Sequence, residues 1–277
     1  MSIATEITAL DTNLNAAKEA VEAKGGTVGD TGLAGLAAEI ATIPSGTTGT
    51  WGTVTYKDSN EVEHTVTIQS EEEYFSLGNN NSSYDLTIDN VTFNNGNIVR
   101  VDLGNLAEFA PEYFLYNCTN LTTLTGVENL LATADNFLKQ CSKLNCELNF
   151  NKLWIVGDWF MSRCSTFNST LTFSKVHNIG RNFMEQCTSF AQTLTLGAQI
   201  KRFYAGSSQF MWRCDSFTSL VCNCSVHPTD NNSLSTNNSS ATVYTTGITL
   251  TGTYASEWKA ALPDSDSSPY RKLILGS

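Results

Sequence analysis

The sequence predicts an α/β solenoid, a fold in which short coils of chain stack into one row. A five-residue motif, Phe-x-x-x-Cys, occurs five times, and its Phe and Cys step by 23, 23, 23 and then 27 residues. The motif positions are Phe114 and Cys118, Phe137 and Cys141, Phe160 and Cys164, Phe183 and Cys187, and Phe210 and Cys214. A large apolar residue stands three positions after each Cys, and a short alternating run such as Leu171-Thr-Phe173 follows. A period in the low twenties, with one helical turn and one short strand per coil, predicts stacked coils that share one core.

The Cys of each motif is predicted to be a buried free thiol. No coil can bury its apolar edge alone, so the Phe and Cys of neighbouring coils should meet in one continuous core. A small polarisable side chain packs well in such a column. Cys146, Cys222 and Cys224 stand outside this register, and Cys222-Asn-Cys224 lacks the second pair that a zinc site needs. Neither disulfides nor a metal site are therefore expected.

The repeat resembles the BspA-like branch of the leucine-rich repeats, whose coils read close to Ile-Gly-x-x-x-Phe-x-x-Cys-x-x-Leu. Val156-Gly157 and Ile179-Gly180 match the glycine-containing start of such a coil, and the other three coils lack that glycine. The resemblance covers residues 97–224 and implies a leucine-rich-repeat array there. Repeats of this kind occur in bacterial surface proteins, protist proteins and phage virion proteins, and they imply adhesion or display rather than chemistry.

Residues 1–46 are predicted to form two helices that attach the protein or make it oligomeric. Apolar residues spaced 4-3-4-3-4 mark three heptads of a coiled coil, at Ile3, Ile7, Leu10, Leu14, Ala17 and Val21. Gly25-Gly26 should end this helix, and a second one should run from about Asp30 to Pro44. The first helix can fold back on the second as a hairpin, or three copies of it can wrap around one another. Both packings fit the pattern.

This opening segment also resembles the N-terminal segments of phage tail, baseplate and fibre proteins. The resemblance rests on the stretch from Ala17 to Ile40 and on the Ile43-Pro-Ser-Gly46 sequence that ends it. It implies that the N-terminal helices bind other virion proteins.

Residues 51–96 are predicted to form a small β-rich region. Trp51–Tyr56 and Val62–Ile68 alternate apolar and polar residues around a turn, which favours a hairpin. Ser70 followed by three Glu residues indicates the N-cap and first turn of a short helix. Residues 79–97 should then form an irregular first coil that caps the solenoid core.

Residues 241–277 are predicted to close the other end of the array. Ile248–Leu250 reads as a strand, Tyr254–Leu262 as a short helix and Tyr270–Leu275 as a last strand. The Tyr-x-x-x-Trp of this helix resembles the C-terminal end of BspA-like arrays.

Composition limits the classes of partner. The chain of 277 residues has a net charge of −11, and most of the acidic excess falls in its first hundred residues. Nucleic-acid binding needs clustered Lys and Arg, so no nucleic acid is expected as a partner. The N-terminus has neither the basic nor the apolar region of a signal peptide, and no apolar run is long enough to span a membrane. These features predict synthesis in a host cytoplasm and release within a virion.

No enzyme constellation is apparent, and no cofactor is expected. His64, His177 and His227 stand in separate segments without carboxylates or Cys at metal spacing. Phosphate-binding and nucleophile-elbow motifs are absent from the sequence. Asp135, Glu147 and Asp158 remain carboxylates that a fold could bring together as a glycosidase pair.

Five aromatic residues are candidate ligand contacts, because the core does not demand them at their positions. They are Tyr116, Trp154, Trp159, Tyr204 and Trp212. Aromatic side chains on a solenoid face stack on sugars or anchor proteins. The alternative is that some of them cover the rim of the core.

The leading expectation is a non-enzymatic phage virion protein, a tail, baseplate or head fibre. Its N-terminal helices would bind the particle, and its solenoid would bind a glycan or protein receptor on the host surface. A homotrimer is expected, because three copies multiply weak receptor contacts. The alternative is a bacterial BspA-like surface adhesin, and a glycan-degrading fibre is the third class.

Overall fold

The computed structural model describes residues 49–204, 209–228, 233–234, 247–262 and 272–276. The chain divides into two compact units, residues 1–49 and 50–277. The predicted N-terminal helices, with the heptad residues Ile3 to Val21, lie outside the described residues.

The second unit begins with the predicted hairpin and capped helix. Strands β1 (Gly52–Lys57) and β2 (Glu63–Thr67) pair antiparallel. Helix α1 (Glu71–Phe75) follows, and the Ser70 hydroxyl accepts a hydrogen bond from the Glu73 N–H at 3.2 Å. This is the N-cap geometry that the sequence predicts.

A second hairpin leads into the solenoid. Strands β3 (Asp85–Ile88) and β4 (Val91–Asn94) pair antiparallel, and a 3-10 turn at Asn95–Asn97 follows. Strand β5 (Ile98–Leu103) then pairs antiparallel with β1 and parallel with Thr123–Thr125, a strand of the solenoid. Residues 51–96 therefore share a sheet and a hydrophobic core with the coils.

The solenoid carries two series of parallel strands. The first series has two residues per strand: β6 (Phe109–Ala110), β8 (Ala132–Thr133), β10 (Ile155–Val156), β12 (Asn178–Ile179) and β14 (Arg202–Phe203). These five strands form one sheet in sequence order. The second series is β7 (Thr123–Thr125), β9 (Leu148–Phe150), β11 (Leu171–Phe173), β13 (Leu194–Leu196), β15 (Ser219–Cys222), β16 (Ile248–Thr251) and β17 (Leu273–Leu275). A 3-10 turn at Val127–Asn129 follows β7 in the chain. The predicted solenoid is confirmed.

The helical turn predicted for Phe-x-x-x-Cys is wrong. Each such segment, with the residue before it, forms what we call a Phe–Cys turn, in which every second residue has a positive φ. In the central coil these are Trp159 (φ 55°), Met161 (φ 52°) and Arg163 (φ 64°). Positive φ is uncommon for residues with bulky side chains and costs about 1 kcal/mol or more each, so neighbouring coils must hold the turn in place.

Hydrogen bonds between coils supply that support. In the first three turns, the N–H groups of the positive-φ residues bond alternately to the next and the previous coil. Trp159 donates to the Arg181 carbonyl at 2.7 Å, and Met161 donates to the Phe137 carbonyl at 2.8 Å. A helical turn would direct these N–H groups along its own axis, and the turns of neighbouring coils would not be hydrogen-bonded to one another. The Phe–Cys turns therefore bond from coil to coil, as neighbouring strands of a sheet do.

The Cys column is a row of thiol–carbonyl hydrogen bonds. Four Cys donate from Sγ to a backbone carbonyl of the preceding coil at 2.9–3.1 Å. These are Cys141 to Leu115, Cys164 to Leu138, Cys187 to Met161 and Cys214 to Met184. None of the eight cysteines, all of which lie among the described residues, is in a disulfide, and only Cys146 is not fully buried.

The five motif Phe side chains form a column of offset-stacked rings. Neighbouring centroids lie 5.1–5.8 Å apart, and the planes differ by 2–14°. All five Phe are 0–1% exposed. A parallel row of Phe167, Phe190 and Phe217 repeats the pattern with centroids 5.8 Å apart.

Helix α2 (Ala255–Ala261) closes the last coils. Trp258 is fully buried, its ring meets Phe203 and Phe210 edge-on, and its Nε1 donates to the Cys224 carbonyl at 3.1 Å. The helix forms where the sequence predicts it. Among the described residues, none of the helices is long and apolar enough to cross a membrane.

The last repeat has 27 residues where the others have 23, and most of the additional residues lie outside the strands. Asn178 pairs with Arg202, 24 residues on, whereas Asn182 is followed by its counterpart Gln209 after 27 residues. The added length thus falls mainly between β14 and the next Phe–Cys turn.

Replacing Phe160 by Ala should lower the free energy of unfolding by about 3–5 kcal/mol, because it opens a cavity between two stacked rings. Urea unfolding followed by circular dichroism measures this change. Phe75→Ala is the control: Phe75 is 38% exposed, so its loss should cost far less. Equal costs for the two substitutions would contradict the central place of Phe160.

Stability should fall steeply above pH 9. Burial raises the pKa of the Cys164 thiol well above its ordinary value of 9.0. The unfolded chain therefore releases this proton near pH 9 while the folded chain keeps it, so rising pH favours unfolding. In Cys164→Ser the fall should be less steep by about 1.4 kcal/mol per pH unit, since one buried thiol is missing.

Urea unfolding at pH 7, 9.5 and 10.5 measures the slopes of both proteins. Below pH 8 the free energies of the two should change in parallel. Equal slopes above pH 9 would mean that this thiol ionises as readily in the fold as in the unfolded chain.

Candidate functional site

The two-residue strands carry an open groove, which we call the sheet groove. It has a volume of about 700 Å³, within the ~300–1,000 Å³ of ligand sites. Phe109 and Ile155 are 45% and 40% exposed on its walls, and Ala132 lies between them in register on the same face. The small side chain of Ala132 leaves a depression between two large apolar ones.

Small residues also shape the floor of the sheet groove. Ala134 and Gly157 stand at equivalent positions of neighbouring coils, with Gly180 one coil further. A Cβ on Gly157 would lie 2.4 Å from the backbone of Ala134, and one on Gly180 would lie 2.3 Å from the backbone of Gly157. Both glycines are therefore required by the close approach of coils.

An acidic column forms the far rim of the sheet groove. Glu112, Asp135 and Asp158 occupy one position of successive coils, and Arg181 follows them. Asp135 accepts the Asp158 N–H at 2.8 Å, and Asp158 accepts the Arg181 N–H at 2.7 Å. The Arg181 guanidinium also bonds to Asp158 through Nε at 2.7 Å and through a terminal nitrogen at 2.6 Å. The rim thus combines carboxylates with one cation that is held in place.

Tyr204 lies at the C-terminal end of the sheet groove. Its ring is half-buried, and the Arg202 guanidinium lies 4.8 Å from its centre. The groove therefore ends in a cation and an aromatic ring.

A second concavity, which we call the turn pocket, lies on the Phe–Cys turns. It has a volume of about 350 Å³ and is lined mainly by polar side chains. Its lining residues are Tyr116, Lys139, Gln140, Trp159, Ser162, Arg163, Asn182, Glu185 and Gln209. The alternating φ of the turns brings these side chains from five coils to one surface.

Glu185 is a buried carboxylate in the turn pocket, with 5% of its surface exposed. One of its oxygens accepts the Asn182 amide at 2.8 Å, and the other accepts the Gln186 amide at 2.8 Å. Asn182 also donates to the Gln209 side-chain oxygen at 2.8 Å. Two amide donors hold the carboxylate in a fixed orientation.

The cations of the turn pocket lie near this carboxylate. Lys139 Nζ lies 4.6 Å from the centre of the Trp159 ring and donates to the Asn136 side-chain oxygen at 2.9 Å. Partial burial and the nearby Arg163 lower the pKa of Lys139, while Glu185 acts in the opposite direction. The pocket therefore presents both signs of charge.

The five predicted aromatic residues lie on more than one surface. All are half-buried. Tyr204 lines the sheet groove, and Tyr116 and Trp159 line the turn pocket. Trp154 stacks on His177, with ring centres 4.2 Å apart, just before strand β10. Trp212 lies on the last Phe–Cys turn, and the Arg213 guanidinium lies 5.5 Å from its ring centre.

The candidate glycosidase carboxylates divide between two faces. Asp135 and Asp158 stand on neighbouring coils in the sheet groove, whereas exposed Glu147 precedes strand β9 in the other strand series. Asp135 and Asp158 accept backbone N–H groups of the next coil, so each has a structural role. Across the part of the chain that the structure describes, no group of three or more His, Cys, Asp or Glu could hold a metal ion.

The structure places all ten motif residues in the core, none more than 2% exposed. Ser162, Glu185, Phe109 and Ile155 were not singled out from the sequence. The sequence does hold a signal for Ser162 and Glu185. They are polar residues at the second position after the motif Phe, where the first and last coils carry an aromatic residue.

Comparison of the chain with protein-family models, with curated proteins and with solved structures found no match.

Proposed function

We propose that this chain is a non-enzymatic phage virion protein, a tail, baseplate or head fibre, that binds a host-cell surface through its solenoid. The repeats would be leucine-rich repeats of the BspA-like kind, and the receptor a glycan or a protein. Residues 1–46 would bind other virion proteins and hold the chain as a homotrimer.

The sheet groove carries this proposal. Large apolar side chains exposed in a concave surface mark interaction sites on soluble proteins. Phe109 and Ile155 are such side chains, and the Asp158–Arg181 pair beside them offers hydrogen-bond acceptors and donors in fixed positions. An apolar wall with a charged rim suits a ligand that has an apolar face and polar edges, as sugar rings and peptides do.

The stacked coils support a display role as well. Every coil is hydrogen-bonded to its neighbours through its turns and strands, so the groove is preformed and binding needs little ordering. Genes for tail, baseplate or capsid proteins beside the coding sequence would favour the virion over the bacterial BspA-like adhesin as its setting.

Ile155→Thr should weaken binding to host cells by about fivefold to tenfold, because it removes apolar contact at the groove wall while keeping the β-branched shape. Adsorption of the labelled full-length protein to a panel of bacterial strains measures this, with the best-binding strain used for the variants. Thermal unfolding should stay nearly unchanged, since surface substitutions shift stability by about 0.5 kcal/mol or less.

The matched control is Ile274→Thr. Ile274 is 42% exposed on strand β17, away from the sheet groove, so the same change should leave adsorption unaltered. Equal losses for both variants, or no strain that binds the natural protein, would contradict the proposal.

Deleting residues 1–46 should leave a folded, monomeric solenoid, because residues 50–277 form a compact unit of their own. Multi-angle light scattering on both lengths measures the change from trimer to monomer. The per-site affinity should persist, while avidity for whole cells falls. A truncated protein that stays trimeric would place the subunit contacts in the solenoid, and a full-length monomer would assign the heptads to a hairpin.

A further inference from the structure

We propose that the turn pocket is a second binding site, apart from the sheet groove, and that it takes one residue of a neutral saccharide through hydroxyl hydrogen bonds. The site lies on the Phe–Cys turns and does not depend on the virion assignment.

The pocket arises from one small residue in a column of large ones. The second position after each motif Phe holds Tyr116, Lys139, Ser162, Glu185 and Trp212 in successive coils. Ser162 has the smallest side chain of this column, and it leaves a gap in the third coil that the pocket fills. A volume of about 350 Å³ is near the lower end of the ~300–1,000 Å³ of ligand sites and suits a single small ligand unit.

The Ser162 hydroxyl lies at the base of this gap. The residue is 0% exposed, and its Oγ has no hydrogen-bond partner among the residues that the structure describes. An unsatisfied buried hydroxyl is uncommon and costs free energy. Because a hydroxyl both donates and accepts, a ligand hydroxyl matches it with either direction of the bond.

Glu185 supplies an oriented acceptor beside that hydroxyl. Its two oxygens each accept one amide donor, and a carboxylate offers about four acceptor positions, so each oxygen can accept a further bond. Hydrogen bonds to a charged acceptor are the strong ones. A ligand O–H that reaches both Ser162 and Glu185 would therefore be held firmly.

The remaining walls favour a neutral ligand over an ion. Lys139 and Arg163 are cations and Glu185 is an anion, so a ligand charge of either sign meets a like charge within the pocket. Neutral hydroxyls, by contrast, can accept from the cations and donate to the carboxylate. The Trp159 and Tyr116 rings add apolar surface against which the C–H face of a sugar can pack.

The test titrates the full-length protein with methyl glycosides of glucose, galactose, mannose and N-acetylglucosamine, with glucuronic acid and glucosamine as charged probes. Saturation-transfer NMR and tryptophan fluorescence report binding. At least one neutral glycoside should bind at millimolar concentration, and the charged sugars should bind at least fivefold more weakly. No response to any probe, or preference for a charged sugar, would overturn the proposal.

Two variants locate the site. Ser162→Lys fills the gap with the side chain that the preceding coil carries at the same position, so the fold should tolerate it, and binding should fall more than tenfold. Ser162→Ala keeps the gap but removes the hydroxyl, and binding should fall about fivefold. Thermal unfolding of both variants shows that the coils remain stacked.

Ser174→Lys is the control for added charge, because Ser174 is exposed after strand β11 and does not line the pocket. It should leave glycoside binding unchanged. Glycoside binding that survives Ser162→Lys would overturn the site. Host-cell adsorption that survives Ser162→Lys while glycoside binding is lost would separate this site from the proposed function, which rests on the sheet groove.

Discussion

The structure depends on the hydrogen bonds that the Phe–Cys turns make between coils. The N–H groups of every second residue, those with positive φ, point alternately to the next and the previous coil, so one turn bonds to the coil before it and the coil after it. The cost of positive φ at bulky residues is offset only when neighbours are present on both sides. The thiol bonds of the Cys column and the stacked Phe rings act between the same pairs of coils. Backbone, sulfur and aromatic contacts thus all support one repeat spacing.

Much of the solenoid could be predicted, because its core positions repeat with a fixed period. The Phe and Cys columns, the Ser70 cap and the helix around Trp258 follow from residue pattern and capping chemistry alone. The turn conformation could not be predicted in this way. Residues such as Met161 and Leu138 favour helices, and their positive φ comes from bonds to coils that are 22 to 24 residues away. A local pattern cannot represent a partner at that distance.

The candidate sites were harder to predict than the core. An aromatic residue is visible in the sequence as a candidate ligand contact, and three of the five named there do line a concavity. The concavities themselves arise from small residues, Ala132 in the sheet groove and Ser162 in the turn pocket, set between large neighbours on adjacent coils. A small residue carries no chemical signal by itself. Its effect appears only when coils are stacked in register and the missing volume has walls.

The longer last repeat shows where this array accommodates additional residues. Strand β14 is displaced by a single residue from the common spacing, and the other three additional residues fall in the sequence between Phe203 and Gln209. Strands and turns on either side keep their pairing. An insertion or deletion between Tyr204 and Gln209 would therefore leave the register of the strands and turns on either side unchanged. The array thus has a place where its length can vary without a change in how its coils stack, and a designed library of inserted segments has the same position available.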